Sequence, residues 1–199
     1  VLVESEGFDH STAQLDYLKS RIQGSSFKIV VIGAFSRGKS SVINGLFGEA
    51  LLPEGILPTT GNLTQIIRSP DEMFRAYLDC SKKRIIPKKD IAGYISKGFP
   101  ITVEHPDACL LAGVVLIDTP GFDCNNESHD QIAESSLIDA DACIFVCKPS
   151  PGIGEAERKV LEQVAASKAV VIVVQNELDT IETPKDLRAT LDHNSKMAR

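Results

Sequence analysis

The feature that most constrains the fold of this chain is a glycine-rich string between a predicted strand and a predicted helix. The string fits the pattern G-x-x-x-x-G-K-S and runs Gly33-Ala34-Phe35-Ser36-Arg37-Gly38-Lys39-Ser40. The apolar run Phe27–Ile32 before it predicts a strand covered on both faces in a parallel sheet. Ser40–Phe47 after it predicts a helix, which Gly48 would end. Strand, loop and helix in this order predict a phosphate-binding loop.

The chemistry of such a loop assigns a role to most of its residues. Glycines let the backbone wrap closely around phosphates, so that successive N–H groups point inward, and the N-terminal end of the following helix adds positive charge. We predict that Lys39 reaches the β- and γ-phosphates of a nucleotide and that the Ser40 hydroxyl ligates Mg²⁺. The other nucleotide contacts predicted here come from Gly33, Ala34, Phe35, Ser36, Arg37, Gly38 and Ser41.

A second motif, Asp118-Thr119-Pro120-Gly121, follows the apolar run Val114–Ile117, which predicts another buried strand. A carboxylate that leaves such a strand is well placed to assist Mg²⁺, and the Gly121 N–H can meet a γ-phosphate. The pattern D-x-x-G alone is common in surface turns. Its position after an apolar strand and downstream of a phosphate loop makes Asp118 a predicted metal ligand.

The segment Leu51–Gly61 holds two prolines and two glycines and is predicted to be a loop. A switch loop at this place needs a hydroxyl that closes over Mg²⁺ and the γ-phosphate. We favour Thr60 for this role, as a metal ligand and a catalytic residue, and Thr59 is the alternative.

A third motif, Asn176-Glu177-Leu178-Asp179, follows the predicted strand Ala169–Val174. The Asp179 carboxylate can accept two hydrogen bonds from the N1–H and N2–H₂ edge of guanine, whereas adenine would leave it unpaired. The usual pattern of guanine-binding proteins is N/T-K-x-D, and Glu177 stands where the lysine would be. We therefore expect Asn176 and Asp179 to select guanine, with an affinity that the missing lysine weakens.

The alternation of predicted strands and helices favours an α/β fold, with a mostly parallel sheet and helices on both faces. We expect residues 1–24 to form a helical segment and residues 25–199 to form a nucleotide-binding domain that lacks a final strand and its base-contacting loop. The other predicted strands are Asn62–Arg68, Phe74–Cys80, Ile101–His105 and Ala142–Cys147, and the other predicted helices are Ser11–Gln23, Asp90–Lys97, Ile132–Leu137 and Glu155–Ser167.

Charge and cysteine content exclude several classes of function. The net charge of −6 argues against general nucleic-acid binding. The basic cluster at Lys82, Lys83 and Arg84, followed by Lys88 and Lys89, is predicted to be a solvated turn between two strands, and a lipid or nucleic-acid patch is the alternative. Five cysteines without a C-x-x-C pair suit a reducing cytosol better than a disulfide scaffold or a zinc site.

With these motifs in place, the chain resembles the G domain of dynamin-like GTPases, particularly the bacterial dynamin-like proteins. The similarity extends from Phe27 to Asp179. The long spacing between Lys39 and Asp118 favours dynamins over small Ras-like or ribosome-associated GTPases, because Asp71–Pro100 predicts additional inserted structure. The strings that carry the resemblance run from Gly33 to Asn44, from Leu51 to Gly55, from Pro58 to Thr60 and from Asp118 to Gly121.

The resemblance implies a membrane-remodelling GTPase of the cytoplasm, peripheral at the inner membrane surface, with membrane lipids as partners. It also implies a homodimer across the nucleotide face, in which Ser36 compensates charge between the β- and γ-phosphates, directly or through a monovalent cation. Phe122 replaces the water-orienting Gln of Ras-like proteins, and Phe35 replaces the catalytic Gln of eukaryotic dynamins. Arg37 is an alternative charge stabiliser, although an arginine at this position often points to solvent.

Three functions fit these observations. The first is hydrolysis of GTP to GDP and phosphate, stimulated by dimerisation. The second is a slow GTP-dependent switch for a protein or ribosomal partner. The third is a degenerate nucleotide-binding scaffold with little catalysis, which the two phenylalanines and Glu177 would explain.

Overall fold

The computed structural model describes residues 26–54, 63–77, 82–106, 109–122, 135–149, 152–166, 169–181 and 183–197. The predicted helix Ser11–Gln23 and both candidate threonines, Thr59 and Thr60, lie outside the described residues. Residues 123–130, which follow the second motif, lie outside them as well.

A single sheet of eight strands forms the centre of the described part of the chain. The strands are β1 (Phe27–Ile32), β2 (Thr64–Arg68), β3 (Met73–Tyr77), β4 (Lys83–Ile86), β5 (Ile101–His105), β6 (Val114–Asp118), β7 (Ala142–Cys147) and β8 (Val170–Gln175). Their spatial order is β4-β3-β5-β2-β6-β1-β7-β8. The half that runs β6-β1-β7-β8 is parallel throughout, so that the carboxyl ends of these strands share one edge.

The other half of the sheet contains antiparallel pairs. Strand β2 runs antiparallel to β6, with Thr64 opposite Asp118, and parallel to β5. Strand β3 then lies antiparallel to both β5 and β4. Strands β3 and β4 fall within Asp71–Pro100, the stretch that the sequence predicts to be inserted structure.

Helices cover both faces of the sheet. Helices α1 (Lys39–Phe47) and α2 (Ile91–Ser96) lie on one face, and α3 (Glu155–Ala166) lies on the other. Helix α4 (Pro184–Met197) follows the last strand, and there are 3₁₀ turns at Lys88–Asp90 and Leu178–Thr180 and a helical turn at 135–138.

Two successive residues of β1 show how the two faces of the sheet are filled. Val31 packs into a core with Ile43 and Phe47 of α1 and with α2. Val30, on the opposite face, packs into a core with Leu161 of α3. Successive side chains of a strand point to opposite faces, so the predicted fold class is confirmed.

The structure corrects one expectation and adds one helix that the sequence did not predict. The basic cluster was predicted to be a turn, but Lys83 and Arg84 begin strand β4 at the edge of the sheet, where their side chains are exposed. Charged side chains are common on edge strands because they discourage pairing with other chains. Helix α4 was not predicted. Cys143 and Cys147 are buried free thiols, as the sequence indicates.

Candidate nucleotide and metal site

The glycine-rich loop connects β1 to α1 at the carboxyl edge of the parallel strands. Its first glycine lies so close to β7 that a Cβ atom on Gly33 would be 2.4 Å from the Val146 carbonyl oxygen. Gly38 caps α1 with a φ of 83°, a left-handed conformation that glycine adopts without strain. Ser36 has a φ of 59° and an exposed side chain. These conformations give the loop its sharp turn between β1 and α1.

The ammonium group of Lys39 lies at the mouth of this loop. Lys39 is buried, and its Nζ donates to the carbonyl oxygens of Gly33 at 2.9 Å and Ala34 at 3.2 Å. The phosphate contact predicted for Lys39 stays a prediction.

Ser40 and Asp118, predicted separately as metal ligands, lie together. The Ser40 hydroxyl donates to Asp118 Oδ2 at 3.2 Å. Burial raises the pKa of Asp118 to about 6, although Lys39 and Ser40 act in the opposite direction. Within the described residues, the buried Asp118 Oδ1 has no hydrogen-bond partner.

This pair of oxygen ligands fits Mg²⁺. A magnesium ion that binds nucleotides usually takes one or two protein oxygens and completes its shell with water and phosphate. Ser40 Oγ and an Asp118 oxygen without a donor are ligands of that kind. No group of three or more histidine, cysteine or acidic side chains within the described ranges could hold a metal by itself.

The second motif is joined to the loop through the backbone. The Phe35 N–H donates to the Phe122 carbonyl oxygen at 2.9 Å, and Ala34 and Phe122 form a parallel bridge. Gly121 lies so close that a Cβ atom there would be 2.6 Å from Phe35 Cα and 3.1 Å from Lys39 Nζ. Its backbone is therefore placed beside the ammonium group that would contact the γ-phosphate.

Phe122 is buried, and its ring lies 6.5 Å from that of Phe145 in β7. The side chain that replaces the water-orienting Gln is thus part of the apolar core. It cannot hold a water molecule in the site.

The third motif touches the loop from the other side. Asn176 Nδ2 donates to the Arg37 carbonyl oxygen at 3.2 Å. Asp179 lies in the 3₁₀ turn that follows, with an exposed side chain. Glu177 has a φ of 60°, and its carboxylate pairs with Lys148 Nζ at 2.7 Å. Lys148, which follows β7, was not identified from the sequence.

A network around Asn44, also not identified as functional from the sequence, fixes the start of the segment that leads to Thr60. Asn44 Nδ2 donates to the Leu52 carbonyl oxygen at 2.9 Å and to Glu54 at 2.6 Å. Asn44 Oδ1 accepts bonds from the N–H groups of Leu51 and Leu52. The Ser41 hydroxyl donates to Glu54 at 2.8 Å. The nucleotide contact predicted for Ser41 stays a prediction.

The predicted role of Arg37 as a charge stabiliser stays a prediction, but its guanidinium group does not extend into solvent. It forms an ion pair with Glu157 of α3, with Nε 2.8 Å from Oε1. Glu157 lies 120 positions from Arg37, and nothing in the local sequence indicates this pairing.

The sequence of this chain resembles those of known proteins. A family model described as the dynamin family matches residues 29–178. Dynamin-like protein A of Bacillus subtilis is 30% identical over 178 residues, which cover 86% of this chain and 15% of the relative. The chain spans less than half the length of the curated relatives it matches first.

Two solved structures share the fold. One belongs to an oligomerised bacterial dynamin pair described as sensing and tethering membranes, with a TM-score of 0.68 and 17% identity over 96% of this chain and 33% of that one. The other is Aquifex aeolicus Era bound to GDP and AlF₄⁻, with a TM-score of 0.53 and 18% identity over 85% of this chain and 46% of that one. No helix in the described part of this chain is both long and apolar enough to cross a membrane.

Proposed function

The chain belongs to the dynamin family, and we propose that it binds GTP with Mg²⁺ and hydrolyses the GTP to GDP and phosphate. The observation that carries the proposal is the contact between the Ser40 hydroxyl and Asp118 beside the buried ammonium group of Lys39. Two oxygen ligands and a cation converge where the backbone of the loop turns inward. This combination matches the needs of a triphosphate bound to a divalent ion.

Each group would act on the phosphates in a separate way. Lys39 would neutralise charge on the β- and γ-phosphates, and the Gly121 N–H would contact the γ-phosphate. Ser40, Asp118 and Thr60 would hold Mg²⁺, which neutralises charge that develops on the phosphate oxygens. Thr60 would enter the site when its loop closes.

Base selection would depend on the third motif. Asp179 would accept the two hydrogen bonds of guanine, and Asn176 would support the phosphate loop through the Arg37 carbonyl oxygen. Glu177 pairs with Lys148, so an ammonium group stands close to the position of the missing lysine. Because Asp179 would be left unpaired by adenine, we propose that the site prefers guanine over adenine.

Hydrolysis would need a second copy of the chain. Phe122 is buried and cannot orient water, and Phe35 lacks a polar group for this purpose. Ser36 is exposed at the rim of the loop, where a dimer across the nucleotide face would cover it. In that dimer Ser36 would compensate charge directly or through a monovalent cation. We therefore expect turnover per molecule to rise with protein concentration.

We propose that this cycle serves membrane remodelling by a protein that is cytoplasmic and peripheral at the inner membrane surface. Support comes from membership of the dynamin family and from the bacterial dynamin pair described as tethering membranes. Membrane lipids would be the partner, and nucleic acid would not.

A slow switch for a protein or ribosomal partner is the second candidate. The likeness of fold to Era favours it, as do the two phenylalanines at positions that hold glutamine in other GTPases. A degenerate scaffold with little catalysis is the third candidate, motivated by Glu177 and the same phenylalanines. A specific rate that does not depend on protein concentration or on liposomes would favour the switch. Micromolar binding of GTP without turnover would favour the scaffold.

The test is the binding of GTP and of ATP, together with phosphate release from both, with Mg²⁺ and with EDTA. Lys39→Ala is expected to lower GTP affinity at least about a hundredfold, because it removes a buried charge that contacts phosphate (about 3 kcal/mol). Lys159→Ala, on the exposed face of α3, is the matched control and should behave as the parent. Binding of GTP by Lys39→Ala with the parental affinity would refute the proposal, and equal affinity for ATP would refute the base assignment.

A further inference from the structure

The buried ion pair between the phosphate loop and α3 has no part in the chemistry described above. Arg37 Nε donates to Glu157 Oε1 at 2.8 Å, and Arg37 Nη2 donates to Oε2 at 3.0 Å. The side chains are 15% and 3% exposed. Taking two charges out of water costs free energy that their attraction only partly returns. The pair is therefore poor as a source of stability, and its bidentate geometry points to a role in positioning.

Further hydrogen bonds fix both residues of the pair. The Gly154 N–H donates to Glu157 Oε2 at 2.8 Å, which holds the carboxylate at the start of α3. The Arg37 carbonyl oxygen accepts a bond from Asn176. Arg37 is thus held by its side chain from α3 and by its backbone from the third motif.

The backbone on either side of Arg37 is the part of the loop that needs such support. Ser36 has a φ of 59° and Gly38 a φ of 83°. A left-handed conformation costs a non-glycine residue about 1–2 kcal/mol unless its surroundings enforce it. Arg37 follows Ser36 directly, so an anchored Arg37 helps to enforce that conformation.

The ion pair argues against a direct role of the Arg37 side chain at the phosphates. The guanidinium group donates two hydrogen bonds to a buried carboxylate, which neutralises its charge. If Arg37 served as a charge for the nucleotide, a carboxylate bound to it would weaken that effect.

We propose that Glu157 is a positioning residue for nucleotide binding. Acting through Arg37, it holds the backbone of residues 36–38 in the conformation that receives the phosphates of GDP and GTP. The inference rests on the proposed function and extends it to a residue of α3 that contacts neither phosphate nor metal.

The test is a double-mutant cycle on the dissociation constant for fluorescent GDP, with Glu157→Gln, Arg37→Gln and the double variant. Each single variant is expected to raise the dissociation constant for GDP and for GTP by the same factor, roughly tenfold, and the double variant should add little more because both act through one contact. Arg37→Lys should resemble Arg37→Gln, since lysine cannot form the bidentate pair. For Glu157→Gln the rate at saturating GTP should change by less than about threefold, because Glu157 contacts neither phosphate nor metal and the anchor acts on binding.

Glu162→Gln is the matched control, because Glu162 lies on the same helix with a 65% exposed side chain. Circular dichroism and thermal unfolding would verify that each variant is folded. Should Glu157→Gln fail to fold, Arg37→Lys and the double variant, which leaves no unpaired buried charge, still decide the question.

The possible negative results distinguish an error in the proposed function from an error in the positioning role of Glu157. If the parent does not bind GDP, the proposed function itself is wrong. If the parent binds GDP and the folded variants bind it equally well, the positioning role is wrong. A tighter dissociation constant or faster turnover in Glu157→Gln would show that a released Arg37 acts on the phosphates, and would also overturn the inference.

Discussion

Replacing Gly121 with alanine tests how closely the second motif must approach the phosphate loop. The added Cβ would lie 2.6 Å from Phe35 Cα and 2.8 Å from Phe35 N. Both are backbone atoms, so no side chain can move aside to make room. Gly121 does not have a positive φ, and alanine is therefore compatible with its conformation. The expected cost arises from the collision alone.

The magnitude follows from that geometry. Carbon atoms in ordinary contact are about 3.5–4 Å apart, so the two backbone segments must separate by roughly 1 Å. Overpacking of this kind costs about 1–3 kcal/mol, and loss of the bond from the Phe35 N–H to the Phe122 carbonyl oxygen costs about 1 kcal/mol more. We expect Gly121→Ala to lower the free energy of unfolding by about 2–4 kcal/mol. In a domain of this size the melting temperature would fall by roughly 5–15 °C.

Urea unfolding and phosphate release measure the two consequences. GTP turnover should fall at least about thirtyfold, since a shift of about 1 Å would remove the Gly121 N–H from its proposed contact with the γ-phosphate. GDP, which lacks that phosphate, should bind with an affinity within about threefold of the parent.

The matched control is Gly45→Ala in α1, where an added Cβ meets nothing within 4 Å. It should stabilise the protein by about 0.5–1 kcal/mol and leave turnover unchanged. Parental stability together with parental turnover in Gly121→Ala would refute the reasoning.

Three further predictions concern other parts of the site. Because burial raises the pKa of Asp118 from 3.8 to about 6, its ionised form opposes folding, and Asp118→Asn should stabilise the metal-free protein by up to about 3 kcal/mol above about pH 6. The gain should disappear below about pH 4, and urea unfolding in EDTA that showed a gain independent of pH would contradict it. The double variant Glu177→Lys, Lys148→Gln should bind GDP several-fold more tightly than the parent. Its preference for GDP over ADP should not change, because Asp179 remains. A dissociation constant for GDP that calorimetry finds no lower than that of the parent would refute this. Asn44→Ala removes four hydrogen bonds and should lower the free energy of unfolding by about 2–4 kcal/mol, and thermal unfolding within about 1 °C of the parent would show that the network is dispensable.

The parts of the structure that the sequence predicts are those that short-range patterns determine. Strand β1, the glycine-rich loop and helix α1 are specified by one continuous string, and each apolar run of the parallel half became a strand. Strand β4 escaped prediction because only Ile86 of its four residues is buried, so it lacks a clear apolar pattern. The sheet order and the antiparallel pairing of β2 with β6 depend on contacts between distant segments.

Within the site as well, residues that belong to short motifs could be predicted, and residues outside such motifs could not. Lys39, Ser40, Asp118 and Asn176 were predicted from motifs and lie around one loop, and their contacts with nucleotide and metal stay predictions. Glu157 and Lys148 were missed because neither belongs to a motif. An acidic residue in an amphipathic helix has the pattern of a solvated side chain, and only the fold shows that Glu157 is buried against Arg37.

The fixed points on either side of residues 55–62 have a consequence for protein engineering. Glu54 is held by Asn44 and Ser41, and Thr64 is paired with Asp118 across the β2–β6 ladder, so the residues that flank this segment lie beside the candidate site. Inserting a few residues into the segment would cost little folding free energy, since closure entropy grows slowly with length. Under the proposed function it would, however, lower the local concentration of the Thr60 hydroxyl at the proposed metal site. A series of insertions could therefore slow hydrolysis in steps while thermal stability stays nearly constant.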